Sequence, residues 1–306
     1  MNELASFGIV EEHASLKDLN TYKINTSTRY LLHPRNVKEL QEFVKFAHVK
    51  KIEYFVLGNG SNVILSDSPY PGVVVKLDLF KNVNYDHTRV AVDAGVMINK
   101  LAYDLIDHGL SGLEWATGIP GTIGGCIYGN AEAYNVSTFE YLKSVDMVDE
   151  MGHLITLKKE DLSYGYRTTS FKEGLQGILV SAIFEFKKGD KEESLALVQD
   201  RLQRRLSSQP LDYPSAGSVF RNPSKELPSG KIIDDLGLKG TRIHDACISE
   251  KHANFIVNLG NASGKDIRNL IQLIKDKVKE AYQIDLILEQ EPKDWGCNHE
   301  KEEDHS

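Results

Sequence analysis

The sequence predicts an α+β fold, because short apolar stretches typical of strands crowd the middle of the chain while stretches with helical spacing flank them. Strands and helices do not alternate strictly, as they do in parallel βαβ proteins. The chain has 306 residues, which is enough for two or three domains with buried cores. We therefore expect a multidomain protein of mixed architecture.

The N-terminal part of the chain predicts one helix, a series of short strands and a second helix. Apolar residues recur at helical spacing over 37–47, and this helix is expected to end near Lys50–Lys51. The second helix spans 97–108, and Gly109 stops it. Between the two helices, apolar runs predict strands at 53–58, 62–66, 72–77 and 89–95.

The rest of the chain predicts three more strands and then a helix-rich final third. The strands are expected at 143–149, 153–159 and 178–186. A helix over 191–210 is closed by Pro210 and leads from one domain into the next. The final third predicts a short helix at 230–238, a strand at 254–260, a long helix at 267–281 and a last strand at 284–291.

The composition is that of an ordinary globular protein, with 41% apolar and 26% charged residues. The net charge is −8, and no Lys/Arg block marks a nucleic-acid surface, so we expect no nucleic-acid partner. The acidic run at 299–306 is interpreted as a solvated tail.

The location of the protein is expected to be the cytoplasm. The first residues lack the pattern of a secretion signal, and no stretch approaches ~18 apolar residues, so no membrane partner is expected. Three isolated cysteines, without a C-x-x-C pair, predict neither disulfides nor a zinc site and fit a reducing compartment; they are Cys126, Cys247 and Cys297.

The first motif is "LGNGSN", residues 57–62, which lies between two predicted strands. Glycines permit positive φ, so successive N–H groups can turn toward one point and bind an anion such as a pyrophosphate. No third glycine and no helix follow, so this is not a dinucleotide fingerprint. A plain β-hairpin turn explains the residues equally well. The candidates are Gly58, Asn59, Gly60, Ser61 and Asn62.

The second motif is "GIPGTIGG", residues 118–125. Closely spaced glycines let the backbone approach a flat or charged ligand, and the alternative is a tight crossing of two chain segments. A long ligand with a pyrophosphate and a planar ring would need both motifs. The candidates here are Gly118, Ile119, Pro120, Gly121, Thr122, Gly124 and Gly125.

Three further stretches offer reactive side chains. Arg167, in "GYRTTSF", can grip a carboxylate or phosphate, although a surface ion pair is the commoner role. Ser218, in "PSAGSVFRNP", lies in a stiff loop without the G-x-S-x-G elbow of a hydrolase, and a turn-capping role is the alternative. Glu289 and Glu291 are two positions apart, which would place both carboxylates on one face of a strand, and an exposed strand face is the alternative.

The two histidines His244 and His252 lie close in sequence to Asp245 and Cys247. Their spacing matches no known metal site, so structural roles are favoured and no metal is predicted.

In this order, the motifs resemble one family closely, the UDP-N-acetylenolpyruvoylglucosamine reductases, also called UDP-N-acetylmuramate dehydrogenases. The resemblance covers nearly the whole chain, and its most specific parts are "LGNGSN", "SGLEWATGIPGTIGG", "YRTTSF", "AGSVFRNP", "LGLKG" and "KHANFIVN". No extra tyrosine-bearing segment separates the strand at Ile178 from the helix at Glu192, which resembles the shorter, type II branch.

The resemblance implies a two-part FAD-binding domain of the vanillyl-alcohol-oxidase (PCMH) type, followed by a C-terminal α+β substrate domain. The implied divisions are 1–55 and 56–205 for the FAD-binding parts, 206–296 for the substrate domain and 297–306 for an acidic tail. FAD would be bound non-covalently by the two glycine motifs and Ile178. The protein is expected to be a monomer.

The implied reaction uses NADPH to reduce FAD, which then reduces UDP-N-acetylglucosamine enolpyruvate to UDP-N-acetylmuramate for peptidoglycan synthesis. The resemblance implies that Arg167 and Glu291 stabilise the intermediate and that Ser218 donates a proton. Substrate contacts are implied for Tyr166, Arg221, Asn222 and Lys239.

The sequence departs from the family pattern at several positions, and two alternatives therefore stay open. The departures are Asn25-Thr26 in place of Gly-Gly, Glu132 and His244 in place of Gly, Arg221 in place of Lys, and Pro292 in place of Val. Pro292 is expected to end its strand. The alternatives are a flavin oxidase acting on a sugar or lactone and a catalytically silent flavin-binding paralogue.

Overall fold

The computed structural model describes residues 3–295. The predicted acidic tail at 297–306 and Cys297 lie outside the described residues. Within this range the helices are α1 (Val37–Lys50), α2 (Ile98–Asp107), α3 (Ile123–Tyr128), α4 (Thr138–Tyr141), α5 (Lys191–Ser208), α6 (Ser229–Asp235) and α7 (Gly264–Tyr282).

The strands are short, as the sequence predicts. Those before α3 are β1 (Ile9–Ser15), β2 (Ser27–His33), β3 (Tyr54–Val56), β4 (Val63–Leu65), β5 (Tyr70–Val75), β6 (Val83–Asp86), β7 (Arg89–Asp93) and β8 (Leu110–Ser111). Those between α3 and α5 are β9 (Glu132–Ala133), β10 (Val136–Ser137), β11 (Leu142–Val148), β12 (Leu154–Lys158), β13 (Tyr164–Gly165), β14 (Thr168–Thr169), β15 (Ile178–Glu185) and β16 (Lys187–Lys188). The last are β17 (Arg242–Ile243), β18 (Ala246–Ile248), β19 (Ile256–Asn258) and β20 (Glu291–Lys293).

The first sheet has the strand order β1–β2–β5–β3, with parallel pairing on both sides of β5. Successive residues of a strand face opposite sides of a sheet. Leu32 and Val73 therefore pack with α1 on one face, whereas Leu31 and Val74 pack with the C-terminal part of the chain on the other. The apolar run in β5 follows from burial on both faces.

The predicted N-terminal helix is confirmed as α1. The Asn36 side chain accepts a hydrogen bond from the Glu39 amide at 3.0 Å and so begins the helix. Lys51, with φ of 54°, adopts the left-handed conformation that ends it. The helix buries Leu40 and Phe43 against the first sheet.

The second sheet is antiparallel throughout, in the order β12–β11–β15–β7–β6. Its inner face packs against α2 and α3 in a core that contains Leu101, Ile127, Val145 and Phe184. The chain passes from β15 to α5 through β16 alone, so the structure has no inserted segment there.

The C-terminal part contains the three-stranded sheet β17–β18–β19, with α6 and α7. Ser263 and Asp266 form a capping box that begins α7. Phe220, Ile256 and Ile271 belong to the same core as Leu31 of the first sheet. The C-terminal part is therefore packed directly on the FAD-binding half that the sequence predicts.

The predicted strand at 284–291 is wrong in its position. Residues 284–290 form no strand apart from an isolated bridge between Leu288 and Phe220, and β20 begins only at Glu291. β20 pairs in parallel with β4, and Pro292, opposite Ile64, lies inside the strand instead of ending it. Proline is tolerated because the Glu291 amide bonds to Asn62, so the next nitrogen faces the unpaired side.

The domain division of the chain stays a prediction, but its first boundary conflicts with the sheet. A boundary at 55/56 falls inside β3, and β5 pairs with both β2 and β3. A division after β5 keeps the first sheet whole.

Candidate active site

The two glycine motifs lie against each other. We call residues 58–62 the first glycine loop and residues 118–125 the second glycine loop. Asn59 Nδ2 donates a hydrogen bond to the carbonyl oxygen of Pro120 at 2.8 Å. A Cβ on Gly58 would lie 2.9 Å from Thr122 Oγ1, which shows how closely the loops approach. Two segments about sixty residues apart thus form one surface.

The first glycine loop presents a row of unbonded amides. Among residues 3–295, no group accepts a hydrogen bond from the main-chain N–H of any residue from 58 to 62. Gly60 has φ of +64°, and a Cβ there would lie 2.2 Å from the carbonyl oxygen of Leu19. The lack of a side chain at Gly60 therefore allows two chain segments to cross closely. The free amides of the loop are available to bind an anion.

The second glycine loop differs from the loop expected from the sequence, because a helix begins inside it. Thr122 Oγ1 accepts a hydrogen bond from the Gly125 amide and begins α3 at Ile123. The amide of Gly124 donates to the carbonyl of Ala94 at 2.9 Å, so part of this segment is held against β7. The close crossing expected of the motif is therefore found at Gly124, whereas ligand binding by the rest of the motif stays a prediction.

Ile178 is the one predicted cofactor residue whose side chain is buried in a core. It belongs to the cluster that contains Val148 and Val180. Any contact with a cofactor would have to come from its main chain.

Arg167 lies at the tip of the β13–β14 hairpin with φ of 58°. This left-handed conformation costs a non-glycine residue about 1 kcal/mol. Its Nη2 donates to the carbonyl of Glu132 at 3.1 Å, and its Nη1 lies 3.5 Å from Glu289 Oε1. The hairpin thus directs the guanidinium toward the segment that holds Glu289.

Ser218 lies next to the same segment. The carbonyl of Gly217 accepts a hydrogen bond from Gln290 Nε2 at 3.1 Å, and the carbonyl of Val219 accepts one from the Glu289 amide at 2.9 Å. Both neighbours of Ser218 are therefore fixed to residues 289–290. Its half-buried hydroxyl makes no hydrogen bond within residues 3–295.

The two acidic side chains have different partners. Glu291 Oε1 lies 3.1 Å from Lys172 Nζ. Glu289 lies between two arginines, with Oε1 at 3.5 Å from Arg167 Nη1 and Oε2 at 3.7 Å from Arg221 Nε. We call these five residues (Arg167, Lys172, Arg221, Glu289 and Glu291) the arginine cluster.

Burial raises the pKa of Glu289 above its ordinary value. The positive charges of Arg167, Lys172 and Arg221 oppose this shift without cancelling it, and the negative charge of Glu291 adds to it. The site therefore holds a carboxylate that is more easily protonated than an exposed glutamate.

The first glycine loop is joined to the arginine cluster. Asn62 Nδ2 donates to the carbonyl of Glu289 at 3.1 Å, and the Asn62 carbonyl accepts from the Glu291 amide at 2.9 Å. The Asn62 side chain is thus engaged by the acidic segment, although the sequence predicted it as a cofactor contact.

The predicted substrate residues fall into two places. The Asn222 amide donates a hydrogen bond of 3.5 Å to Tyr166 Oη. This contact joins the β13–β14 hairpin to the loop that contains Arg221. Asn222 Oδ1 accepts from the Ser229 amide at the start of α6. Lys239 instead pairs with Asp234 at 2.7 Å, at the far end of α6. Within residues 3–295, Lys239 makes no ion pair or hydrogen bond to the arginine cluster.

Sequence reasoning missed Lys172 and Gln290. Lys172 directly follows Phe171 in the motif of Arg167, and its side chain is mostly buried beside Glu291. Gln290 is 2% exposed and accepts a hydrogen bond from the Tyr22 hydroxyl at 3.0 Å. The available signal for Lys172 was a charged residue directly after the motif "YRTTSF".

Two cavities differ in whether predicted site residues line them. One of about 410 Å³ lies beside Asn59 and is lined by residues of the segments 18–23 and 211–214. A larger one, about 700 Å³, lies against α5 between Ser111 and Arg201 and contains none of the predicted site residues. The smaller cavity is the one that adjoins the glycine loops.

The residues present fit an FAD cofactor. Unbonded amides in the first glycine loop can hold a diphosphate, and the closely approaching second loop leaves main chain exposed to a planar ring. Residues 28–158 match a family model described as an FAD binding domain. Residues 209–293 match the C-terminal domain of UDP-N-acetylenolpyruvoylglucosamine reductase.

These two matches, with the α+β fold, define the chain as an FAD-dependent oxidoreductase and confirm the predicted fold class. A UDP-N-acetylenolpyruvoylglucosamine reductase from Caldicellulosiruptor bescii is 41% identical over 274 residues, covering 88% of this chain and 86% of the relative. One from Clostridium tetani is 34% identical, covering 92% of this chain and 91% of the relative. The chain belongs to the UDP-N-acetylenolpyruvoylglucosamine reductase family.

A solved structure supports the same assignment. The crystal structure of the UDP-N-acetylenolpyruvylglucosamine reductase from Thermus caldophilus has a TM-score of 0.80 to this chain at 33% identity. The match covers 94% of this chain and 99% of the other. Among residues 3–295, no helix has both the length and the apolar character needed to cross a membrane.

Proposed function

We propose that the chain catalyses the NADPH-dependent reduction of UDP-N-acetylglucosamine enolpyruvate to UDP-N-acetylmuramate, with FAD as a non-covalent cofactor. The observation that supports this most is the hydrogen bonding of Asn62 to the segment of Glu289. These bonds place the arginine cluster and Ser218 beside the first glycine loop. A reductase of this kind needs an anion-binding side-chain cluster and a proton donor beside its cofactor.

The charge of the cluster suits the substrate. Arg167, Lys172, Arg221 and Lys293 surround Glu289 and Glu291, which leaves two positive charges uncompensated. The enolpyruvyl group carries a carboxylate, and further negative charge develops on it during reduction. Fixed cations that face this charge stabilise it most in the transition state.

FAD, when bound, supplies the redox chemistry by taking a hydride from NADPH and passing it to C3 of the enolpyruvyl group. Arg167 holds the substrate carboxylate, and Glu291, which pairs with Lys172, helps to stabilise the intermediate. Ser218 donates the proton to C2. A serine hydroxyl is a weak acid, so water or a neighbouring group must return its proton.

The cofactor and partner assignments follow from the same residues. The first glycine loop would hold the FAD pyrophosphate, and neither loop contains a histidine to tether the flavin. Tyr166, Arg221 and Asn222 would contact the UDP-sugar beside the cluster. Lys239 would do so only from the α6 side. The monomeric state, the cytoplasmic location and the lack of a nucleic-acid partner stay predictions.

The test is anaerobic flavin spectroscopy on the purified protein. We expect NADPH to bleach the flavin absorbance, and the enolpyruvyl substrate to restore it without oxygen. Restoration by oxygen alone would point to an oxidase, and a colour that NADPH leaves unchanged would point to a silent flavin-binding protein.

A further inference from the structure

Glu289 is a buried carboxylate that the proposed reaction does not use. It is 8% exposed. Its amide donates to Val219 at 2.9 Å, and its carbonyl accepts from Asn62 Nδ2 at 3.1 Å. The backbone of Glu289 is thus fixed between the serine loop and the first glycine loop.

The Glu289 side chain divides its two oxygens between two arginines. Oε1 lies 3.5 Å from Arg167, on the β13–β14 hairpin, and Oε2 lies 3.7 Å from Arg221, on the loop before α6. These arginines come from distant parts of the chain. Within residues 3–295, Glu289 Oε2 and Arg221 Nε are buried and have no hydrogen-bond partner. The carboxylate is near both guanidinium groups without occupying all their donors.

We propose that Glu289 is a positioning residue that holds Arg167 and Arg221 as a pair, so that their remaining donors converge on an anionic group of the substrate. This inference rests on the proposed function, since it names what sets the geometry of that same site.

The physical reason is the repulsion between two like charges that are both partly buried. A carboxylate between two guanidinium groups offsets this repulsion and keeps both close. A neutral side chain of the same shape would leave the arginines free to separate. Substrate binding would then have to bring them together, which weakens binding more than it alters flavin chemistry.

The test is the substitution Glu289→Gln, with the two half-reactions measured separately under anaerobic conditions. We expect flavin reduction by NADPH to stay within about twofold of wild type, and KM for the enolpyruvyl substrate to rise about tenfold or more. The matched control is Asp266→Asn, which changes another buried carboxylate, one that pairs with the His244 imidazole at the start of α7. It should lower the melting temperature and leave KM unchanged.

The dependence of KM on pH distinguishes a positioning role of Glu289 from a purely structural one. The charged groups that face Glu289 are Arg167, Lys172, Arg221 and Glu291. Since burial raises the pKa of Glu289, its charge is lost at a higher pH than that of an ordinary glutamate. KM of the wild type should therefore rise as pH falls through that pKa, and Glu289→Gln should remove this rise.

A double substitution tests the partner. If Glu289 acts through Arg221, the effects of Glu289→Gln and Arg221→Lys on KM should be markedly non-additive. Should Glu289→Gln fail to fold, Glu289→Asp keeps the charge with a shorter reach and should raise KM by a smaller factor.

Two results would overturn the positioning role: an unchanged KM in Glu289→Gln, or an equal loss in both half-reactions together with a fall in melting temperature. Failure of the proposed function looks different, because the wild-type protein itself would then not be bleached by NADPH or recoloured by the substrate.

Discussion

The glycine loops and the arginine cluster meet at Asn62, but they expose different parts of the chain. In the first glycine loop the available groups are main-chain amides, whereas in the arginine cluster they are charged side chains. Apart from substitution by proline, a side-chain change leaves a main-chain amide in place, but it can add a Cβ at the glycines that shape the loops. Changes in the loops should therefore act on folding and cofactor retention, and changes beside the cluster should act on the substrate half-reaction.

The largest expected effect is on the substrate side. Ser218→Ala should slow flavin reoxidation by the enolpyruvyl substrate about 10²- to 10⁴-fold, the usual contribution of a positioned proton donor. Flavin reduction by NADPH should change less than about twofold. Stopped-flow absorbance measures both steps.

Ser215→Ala, in the same loop, is the control and should leave both steps unchanged. Equal losses in the two half-reactions of Ser218→Ala would contradict the division between the two regions.

The next effect is on the loop side. Gly60→Ala should lower the free energy of unfolding by about 3 kcal/mol, because the new Cβ would meet the Leu19 carbonyl at 2.2 Å in a left-handed conformation. Denaturant unfolding measures this loss.

Gly109→Ala is the matched control for Gly60→Ala. Its φ of +67° is nearly the same, but nothing lies within 4 Å of its Cβ position. It should cost only about 1 kcal/mol. Equal costs at the two glycines would show that the chain crossing at Gly60 is relaxed in solution.

The smallest effect tests the contact between the loops. Asn59→Ala removes the hydrogen bond to the Pro120 carbonyl, worth about 1 kcal/mol. FAD affinity, measured by flavin fluorescence on titration, should fall about fivefold, while the reduction rate of bound flavin stays the same. A change in that rate with unchanged affinity would place Asn59 among the reactive groups instead.

The longer helices were predictable because the signals of each are local. For α1 the apolar spacing lies within the helix itself, and for α2 the stop at Gly109 lies two residues after its last turn. By contrast, β1 was not predicted, because only Ala14 of that strand is buried and no alternating pattern results. Local periodicity finds an element only when one of its faces is covered.

The acidic segment shows where local pattern fails. The alternation in "LILEQEP" predicts a strand, yet Glu289 and Gln290 bond instead to the distant residues Val219, Gly217 and Asn62. Both carboxylates still lie in one cluster. Long-range contacts place them there, and the local alternation of the sequence carries no information about those contacts. The roles of Lys172 and Arg221 likewise depend on contacts across more than sixty residues.

Three residues that depart from the family pattern make specific contacts in the structure. His244, where the resemblance expects glycine, has φ of 48° and pairs with Asp266 at 2.8 Å. Burial alone would raise the pKa of Asp266, but hydrogen bonds from His244 and Ser263 outweigh it and hold the pKa below its ordinary value. At Glu132 the carbonyl, not the carboxylate, contacts Arg167. Buried Thr26 bonds to the Ser68 carbonyl at 2.9 Å.

The pairing of β20 with β4 has a consequence for how the enzyme comes into being on the ribosome. The chain emerges from its N-terminus, so β4, beside the first glycine loop, appears long before its partner. Until residue 293 has left the exit tunnel, β4 beside the first glycine loop lacks its partner strand and Glu291 is missing. A nascent chain can thus assemble most of its flavin-holding half early, but turnover begins only after the last strand arrives.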